Sequence, residues 1–266
     1  MAEPDCPHRN HCQLMVARMN RQTSKQKQVF HGVMLSVAAL AITACGGDGT
    51  FNDDEPDPTP VTQTFELSVT NLTVGQPFSP IAVIAHTDDF SVLTLGEPAS
   101  AGLELLAEEG DNSDLIAEAD ADAAVITTAS ADDPLPPGST ETLMLTLNED
   151  DLDDLLISGI TMLVNTNDAI TAVNGVALEG MAVGDTRTMN AIGYDSGTEA
   201  NSEFVGSIPG PADGGEGFNA ARDDLADEVR MHSGVLTTDN GLAESRLSEV
   251  HRWDNPVARF TITRTE

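Results

Sequence analysis

Apolar and polar side chains alternate in several short segments of this chain. The alternation is clearest from Phe65 to Leu72 and from Thr142 to Leu147. Because successive side chains of a β-strand point to opposite faces of a sheet, this pattern predicts strands with one buried face. Ile81–Ala85 and Met162–Val164 are apolar throughout, which favours strands that are buried on both faces.

Further strands are predicted over 123–128, 187–192 and 257–262, each bounded by turn-forming residues. Two helical stretches interrupt them, one from Ala99 to Glu108 and one from Ser113 to Ala119. The sequence therefore predicts a mainly β protein with one antiparallel β-sandwich over 64–266 and short helices in its connections.

An apolar run from Val33 to Ala44 follows a basic segment that contains Arg21, Lys25 and Lys27. The run has about a dozen residues, whereas a membrane-spanning helix needs roughly 20. A short apolar run behind a basic flank is typical of a secretory signal. Residues 1–44 are therefore interpreted as a signal peptide.

The end of that run, Ile42-Thr43-Ala44-Cys45, resembles the lipobox of bacterial lipoproteins. In that motif the cysteine is acylated and the chain is cleaved directly before it. The resemblance predicts a lipid on Cys45 that attaches the chain to a membrane. Gly46 stands where an aspartate would favour inner-membrane retention, so the outer membrane is expected. The alternative is an ordinary secretory signal with a chance cysteine.

Four possible zinc ligands precede the signal: Cys6, His8, His11 and Cys12. They are packed more tightly than the separated ligand pairs of structural zinc sites. A start codon assigned upstream of the true one explains them better, because Met15 or Met19 would give a signal of ordinary length. No cysteine follows Cys45, so no disulfide is expected in the mature chain.

Charge limits the partners of the chain. It has 12 basic and 44 acidic residues; five of the basic and two of the acidic ones precede Cys45, which leaves seven arginines and 42 acids. Such a surface repels nucleic acid and anionic lipid and suits a salty medium. Residues 45–63 are acidic and proline-rich, which predicts an extended tether behind the lipidated cysteine.

Most catalytic signatures are missing from the sequence. It contains no Gly-x-Ser-x-Gly, no His-Glu-x-x-His and no phosphate-binding loop. His86, His232 and His251 show no ligand spacing and are interpreted as structural. A hydrolase that uses His232 or His251 with nearby acids stays open as an alternative, and it requires these histidines to converge in one pocket.

Oxygen-bearing side chains follow two predicted strands. Asn165-Thr-Asn167-Asp168 comes after one strand, and a segment from Asp195 to Glu203 comes after another. Calcium takes six to eight oxygens from carboxylates, amides and backbone carbonyls. Neither segment matches the EF-hand loop, so a calcium site of another kind is the hypothesis.

Several ordered motifs resemble the bacterial branch of the spondin N-terminal domain family. They are Asn71-Leu-Thr-Val-Gly75-Gln-Pro77, Ala107-Glu-Glu-Gly110-Asp-Asn112, Met162-Leu-Val-Asn-Thr-Asn167-Asp168, Asp195-Ser-Gly-Thr-Glu199-Ala-Asn-Ser-Glu203 and Asn255-Pro-Val-Ala-Arg259. The resemblance covers about residues 64–264. It implies a β-sandwich similar to calcium-dependent membrane-binding modules, with a bound calcium and an adhesive extracellular role.

By position in those motifs, the resemblance implies that Asp168, Asp195 and Glu199 ligate the calcium, with Asn167 as a further oxygen donor. The sequence departs from the family pattern at three places. Ser196 replaces an alanine, Glu199 replaces an aspartate, and Ala169 stands where animal members carry tryptophan. Glutamate still supplies two oxygens, so cation binding is expected to survive.

The expected function is a lipid-anchored module on the cell surface or outer membrane, stabilised by calcium, that binds an extracellular protein or glycan without turnover. Two alternatives remain at this point. One is a secreted hydrolase with a structural calcium, and the other is a purely structural envelope protein.

Overall fold

The structure is a computed structural model that describes residues 61–149, 154–221 and 227–266. The predicted signal peptide, the predicted lipidation site Cys45 and all but the last three residues of the predicted tether lie outside the described residues. Within the described ranges, no helix combines the length and the apolar character that crossing a membrane requires.

The described residues form ten β-strands and two α-helices. The strands are β1 (Thr62–Asn71), β2 (Ala82–His86), β3 (Val125–Ser130), β4 (Thr140–Asn148), β5 (Leu156–Met162), β6 (Ala169–Ala177), β7 (Thr186–Ala191), β8 (Gly193–Asp195), β9 (Arg230–Met231) and β10 (Ala258–Arg264). The helices are α1 (Ala101–Glu109) and α2 (Ser113–Asp120). Single 3-10 turns cover Thr238–Asn240 and Glu249–His251.

The strands build two antiparallel sheets. The front sheet has the order β4-β1-β10-β7, and the back sheet has the order β3-β2-β5-β6-β8-β9. The predicted mainly β sandwich with short helices in its connections is confirmed by this arrangement. β1 begins at Thr62, two residues before the expected start of the domain.

The alternating pattern sets the two faces of the front sheet. Leu67 of β1 lies opposite Ile262 of β10 on one side and Leu143 of β4 on the other, and all three are buried. Ser68, the next residue, points outward, and its hydroxyl lies 3.0 Å from that of Thr142. Apolar side chains therefore cover the inner face while hydroxyls cover the outer one.

The back sheet is buried on both faces where β2 runs. Val83 packs into the core between the sheets together with Phe65 and Phe260. Ile84, the next residue, packs into a second core that contains Leu106 of α1. Because the front sheet covers one face and the helices cover the other, β2 is buried along its length and is apolar from Ala82 to Ala85, as expected.

The helices are fixed to each other through one glutamate. The Ser100 hydroxyl caps α1 by accepting from the backbone N–H of Leu103. Glu118 of α2 accepts from that hydroxyl at 2.6 Å and from the Gly102 N–H at 2.8 Å. Gly102 also lies against Leu115, where a Cβ would approach the Leu115 backbone at 2.5 Å. A larger residue there would push the helices apart.

Two strands of the back sheet differ from the sequence prediction. The strand predicted over Met162–Val164 is wrong in its position, because β5 ends at Met162 and the chain then turns towards β6. β6 itself was not predicted. Its first five residues are all buried, so they show no alternation, and neighbouring glycine and alanine residues give little β propensity.

Gly159 of β5 provides the basis for a stability test, because a Cβ there would lie 2.8 Å from the Phe260 ring of the opposite sheet. We expect Gly159→Ala to lower the free energy of unfolding by about 1–3 kcal/mol through overpacking. Urea unfolding measures this change. In a double-mutant cycle with Phe260→Leu the cost of Gly159→Ala should shrink, since the leucine vacates that space. An equal cost in both backgrounds would contradict the prediction.

Candidate metal centre

Two strand ends meet at one edge of the back sheet. Ala169, the first residue of β6, pairs with Asp195, the last residue of β8. This register places Asp168, which precedes Ala169, next to Asp195. Single ligand atoms of Asp168, Asp195 and His232 lie within 4.8 Å of one another. The structure therefore brings two of the predicted calcium ligands together.

Four carboxylates are almost fully buried in this region: Asp168, Asp195, Glu199 and Glu203. A carboxylate that leaves water loses its hydration and needs hydrogen bonds, a counter-charge or a proton in exchange. The contacts of each carboxylate show which of its oxygens receive hydrogen bonds or a counter-charge from the described residues.

Asp168 is satisfied at one oxygen only. Its Oδ2 accepts from the Ser196 hydroxyl at 3.0 Å and from the backbone N–H groups of Thr198 and Glu199 at 3.0 and 3.2 Å. Its Oδ1 is buried and finds no hydrogen-bond donor in the described part of the chain. The turn after β8 thus fixes this carboxylate and leaves one oxygen for another partner.

Asp195 is paired with Arg230 of β9. The guanidinium donates from Nε and Nη2 to Oδ2, both at 3.2 Å. The Asn201 amide donates to the same oxygen at 2.6 Å, and the Gly197 N–H donates to Oδ1 at 3.0 Å. Asp195, a predicted calcium ligand, therefore already has a cation and several donors around it.

His232 belongs to the network around Asp195. Its Nδ1 accepts from the Gly234 N–H at 2.8 Å, so its Nε2 carries the proton and donates to the Asn201 carbonyl oxygen at 3.0 Å. Its ring also packs against Trp253, with centroids 5.2 Å apart. Both ring nitrogens are engaged, which favours the expected structural role over metal ligation.

Glu199 and Asn167, the other two predicted ligands, contact each other. The Asn167 amide donates to Glu199 Oε1 at 2.9 Å. The Asn167 carbonyl oxygen accepts from the backbone N–H of Glu203 at 3.1 Å. Asn167 therefore links the turn before β6 to the loop after β8.

Glu203 was not selected from the sequence as a site residue. Its Oε1 accepts from the Leu236 N–H at 3.1 Å, while its buried Oε2 has no donor among the described residues. Its backbone is left-handed, with φ of 47°, which costs energy in a residue other than glycine. It is the third acid of the motif that begins at Asp195, so the signal was present in the resemblance.

The pKa values record the cost of this burial. Loss of water raises the pKa of Asp168 to about 6, and the charge of Asp195 adds to that rise. Burial also raises the pKa of Glu203 to about 7, with a smaller contribution from the charge of Asp168. Burial lowers the pKa of His232 to about 4, so the ring is neutral at pH 7. Burial therefore disfavours the charged forms of Asp168 and Glu203.

The other two histidines lie in different networks. His86 is buried in β2, where its Nε2 lies 2.7 Å from the Ser158 hydroxyl. His251 Nδ1 accepts from the Ser248 N–H at 2.9 Å. In the described ranges the acids gather with His232 and not with His251, so the two histidines named in the hydrolase alternative do not both join this cluster.

The donor set selects the kind of ion that would fit. Carboxylate oxygens dominate it, and its one imidazole is already hydrogen-bonded at both nitrogens. Hard divalent cations take such oxygens, whereas zinc and copper favour nitrogen and sulfur. The buried oxygens of Asp168 and Glu203 that lack donors fit a hard cation.

A comparison with protein-family models identifies the Spondin_N family over residues 69–208. The match covers more than half of the chain, and the chain belongs to this family. The matched range includes the turn before β6 and the loop from Asp195 to Glu203. No curated protein matches the sequence.

Glu203 predicts a pH dependence of the free energy of unfolding in the presence of a chelator. Its pKa of about 7 in the folded state exceeds the value of 4.5 for an exposed glutamate, so the folded state binds the proton more tightly. Stability should therefore rise as the pH falls from about 8 to about 6.5. His232 opposes part of this rise, because in the unfolded chain it is half protonated at pH 6.5, whereas its pKa of about 4 keeps it neutral in the folded state.

Urea midpoints across this pH range measure the effect in the wild type, in Glu203→Gln and in the exposed control Asp88→Asn. We expect a shallower slope in Glu203→Gln alone. The same slope in all three proteins would contradict the role given to Glu203.

Proposed function

We propose that this protein is a calcium-stabilised binding module, without catalytic turnover, that a lipid on Cys45 holds at the outer membrane. Its family supports an extracellular-type binding or adhesion role. Membership of the family does not by itself imply the calcium ion, the lipid anchor or the lack of catalytic turnover, and separate observations support each of these.

The main support for a cation is the pair of buried carboxylate oxygens, Asp168 Oδ1 and Glu203 Oε2, that have no donor among the described residues. Leaving such an oxygen unpaired costs about 1–3 kcal/mol, and more when the group is charged. A calcium ion would offset this cost at both groups, whose charges already affect each other.

We assign Asp168 as the central ligand, with Glu203 and Glu199 as carboxylates that would move towards the ion, because in the described ranges only the ligand atoms of Asp168, Asp195 and His232 already lie within 4.8 Å of one another. Asp195 and Asn167, which the sequence also predicted, complete the donor set. Asp195 shares its oxygens with Arg230, and the Asn167 carbonyl oxygen accepts from the Glu203 backbone. Arg230 balances the charge of Asp195, and a divalent ion would balance the charges of Asp168 and Glu203.

The proposal of a non-catalytic role is supported by the hydrogen bonds of the histidines. His232 Nδ1 accepts from the Gly234 N–H, and its Nε2 donates to the Asn201 carbonyl oxygen. It packs against Trp253 and is mostly buried. A general base needs a free nitrogen within reach of a substrate, so this histidine suits a positioning role for Asn201 and, through it, Asp195.

The proposed partner is an extracellular protein or glycan. The acidic surface disfavours nucleic acid and anionic lipid as ligands. Attachment through Cys45 would place the acidic segment up to residue 63 between the membrane and the sandwich. Charged, proline-rich chains are extended, so the binding surface would stand clear of the lipid.

Calcium should stabilise the fold more than magnesium at a high, fixed sodium chloride concentration. Extracellular sites have dissociation constants of roughly 0.1–1 mM, so about 10 mM calcium should add about 1.4–2.7 kcal/mol to the free energy of unfolding. Magnesium dehydrates reluctantly and suits a protein cage poorly. Thermal midpoints with each ion measure the difference, and the fluorescence of Trp253, the one tryptophan of the chain, reports binding independently.

The variants Asp168→Asn and Glu203→Gln should each remove most of the calcium preference, while the exposed control Asp88→Asn should keep it. Asp195→Asn should weaken it as well, although the loss of the Arg230 pair also lowers stability without calcium. Equal responses to calcium and magnesium in the wild type would refute the calcium site.

Replacing Cys45 by serine should move the protein from the detergent phase to the aqueous phase, or leave the signal uncleaved, because the serine cannot accept the lipid through a thioether. Phase partitioning and the mass of the mature chain measure both effects. Unchanged partitioning of the Cys45→Ser protein would rule out the anchor.

A further inference from the structure

Three exposed apolar side chains surround the point where Glu203 enters the core. Phe204 and Val205 are each 53% exposed, and Leu236 is 55% exposed. Glu203 connects their segments, because its Oε1 accepts from the Leu236 N–H. Ser245 connects them again: it forms a β-bridge with Phe204, and its hydroxyl donates to the Leu236 carbonyl. We call Phe204, Val205 and Leu236 the apolar patch.

The segments beneath the apolar patch are well packed. Ile208, Val235 and Leu247 form a small buried core there. Val205 donates its N–H to the Glu244 carbonyl at 3.2 Å, and Ser207 donates to the Phe204 carbonyl at 3.0 Å. Hydrogen bonds and this small core therefore hold the segments in place while the three apolar side chains stay exposed, and exposed apolar side chains on neighbouring segments can mark an interaction site.

The two segments that carry the apolar patch are acidic. The segments 203–216 and 235–246 carry Asp213, Glu216, Asp239 and Glu244 outside the core, against one basic residue, Arg246. An apolar surface with an acidic rim attracts a partner that combines apolar and positively charged groups. It repels anionic lipid head groups, which argues against a membrane as the occupant.

We propose that the apolar patch binds a basic amphipathic segment of a partner protein, with the apolar side chains of that segment on Phe204, Val205 and Leu236 and its lysines or arginines on the acidic rim. This inference rests on the proposed binding function and names its partner chemistry. The proposed calcium site is coupled to the apolar patch, because Glu203 is a proposed calcium ligand and also accepts a hydrogen bond from the Leu236 N–H. Calcium at Glu203 should fix the patch and strengthen binding.

The test uses the chain with Cys45→Ser, so that no lipid competes for the patch, and a fluorescein-labelled peptide of leucine and lysine arranged with helical spacing. Fluorescence anisotropy measures its dissociation constant. The double variant Phe204→Ser/Leu236→Ser should weaken binding about tenfold or more, the loss typical of central interface side chains. Val74→Ser/Val183→Ser, which changes two valines exposed elsewhere, should leave it unchanged.

Three comparisons can overturn the inference. A peptide of leucine and glutamate that binds equally well would remove the charge argument. Equal losses in both double variants would show diffuse attraction to an acidic protein. Binding to phosphatidylcholine vesicles that depends on Phe204 and Leu236, with no binding of the peptide, would make the patch a lipid contact instead.

Calcium is varied separately, so the two proposals fail in different ways. If calcium stabilises the fold and the basic peptide does not bind, the apolar patch inference is wrong and the calcium centre stands. If the peptide binds through the patch and calcium adds no stability over magnesium, the patch stands and the calcium centre is wrong.

Discussion

The pairing of Ala169 with Asp195 is the contact on which the buried centre depends. It places Asp168 and Asp195 together at the edge of the back sheet, away from water. The loop after Asp195 then folds over Asp168 by donating two backbone N–H groups and a hydroxyl to one oxygen. Buried carboxylates need hydrogen bonds, a counter-charge or a proton, so the conformation of this loop and the proposed cation site depend on the same arrangement.

Arg230 and His232 show how the protein limits this charge by itself. Arg230 neutralises Asp195, and Asn201 carries a hydrogen-bond chain from His232 to the same carboxylate. Trp253 packs on the imidazole from the other side. β9, which contains Arg230, has only two residues and pairs with β8 at the edge of the back sheet. The ion pair between Arg230 and Asp195 adds to the backbone hydrogen bonds that hold this short strand.

Much of the fold could be predicted, because one-sided burial leaves a period of two in β1, β4 and β10. β6 could not, since it has neither this period nor the unbroken apolar run that marks β2, and its alanine and glycine residues have little β propensity. The sequence also led to Asp168, Asp195 and Glu199, and the first two do lie together. It could not reveal that Arg230 pairs with Asp195, because β9 becomes the neighbour of β8 only in the folded sheet. The motif contains Glu203, but the contacts of this residue with Asn167 and Leu236 depend on the path of its loop.

The front sheet also bears on how the chain can be made. β1 lies between β4 and β10, so the first strand of the domain has the last as its neighbour. Of the two hydrogen-bonding edges of β1, the one that faces β10 has no partner until β10 has been synthesised. Contacts between such distant segments slow folding. The front sheet can therefore be completed only after β10, the last of these strands in the chain, is available.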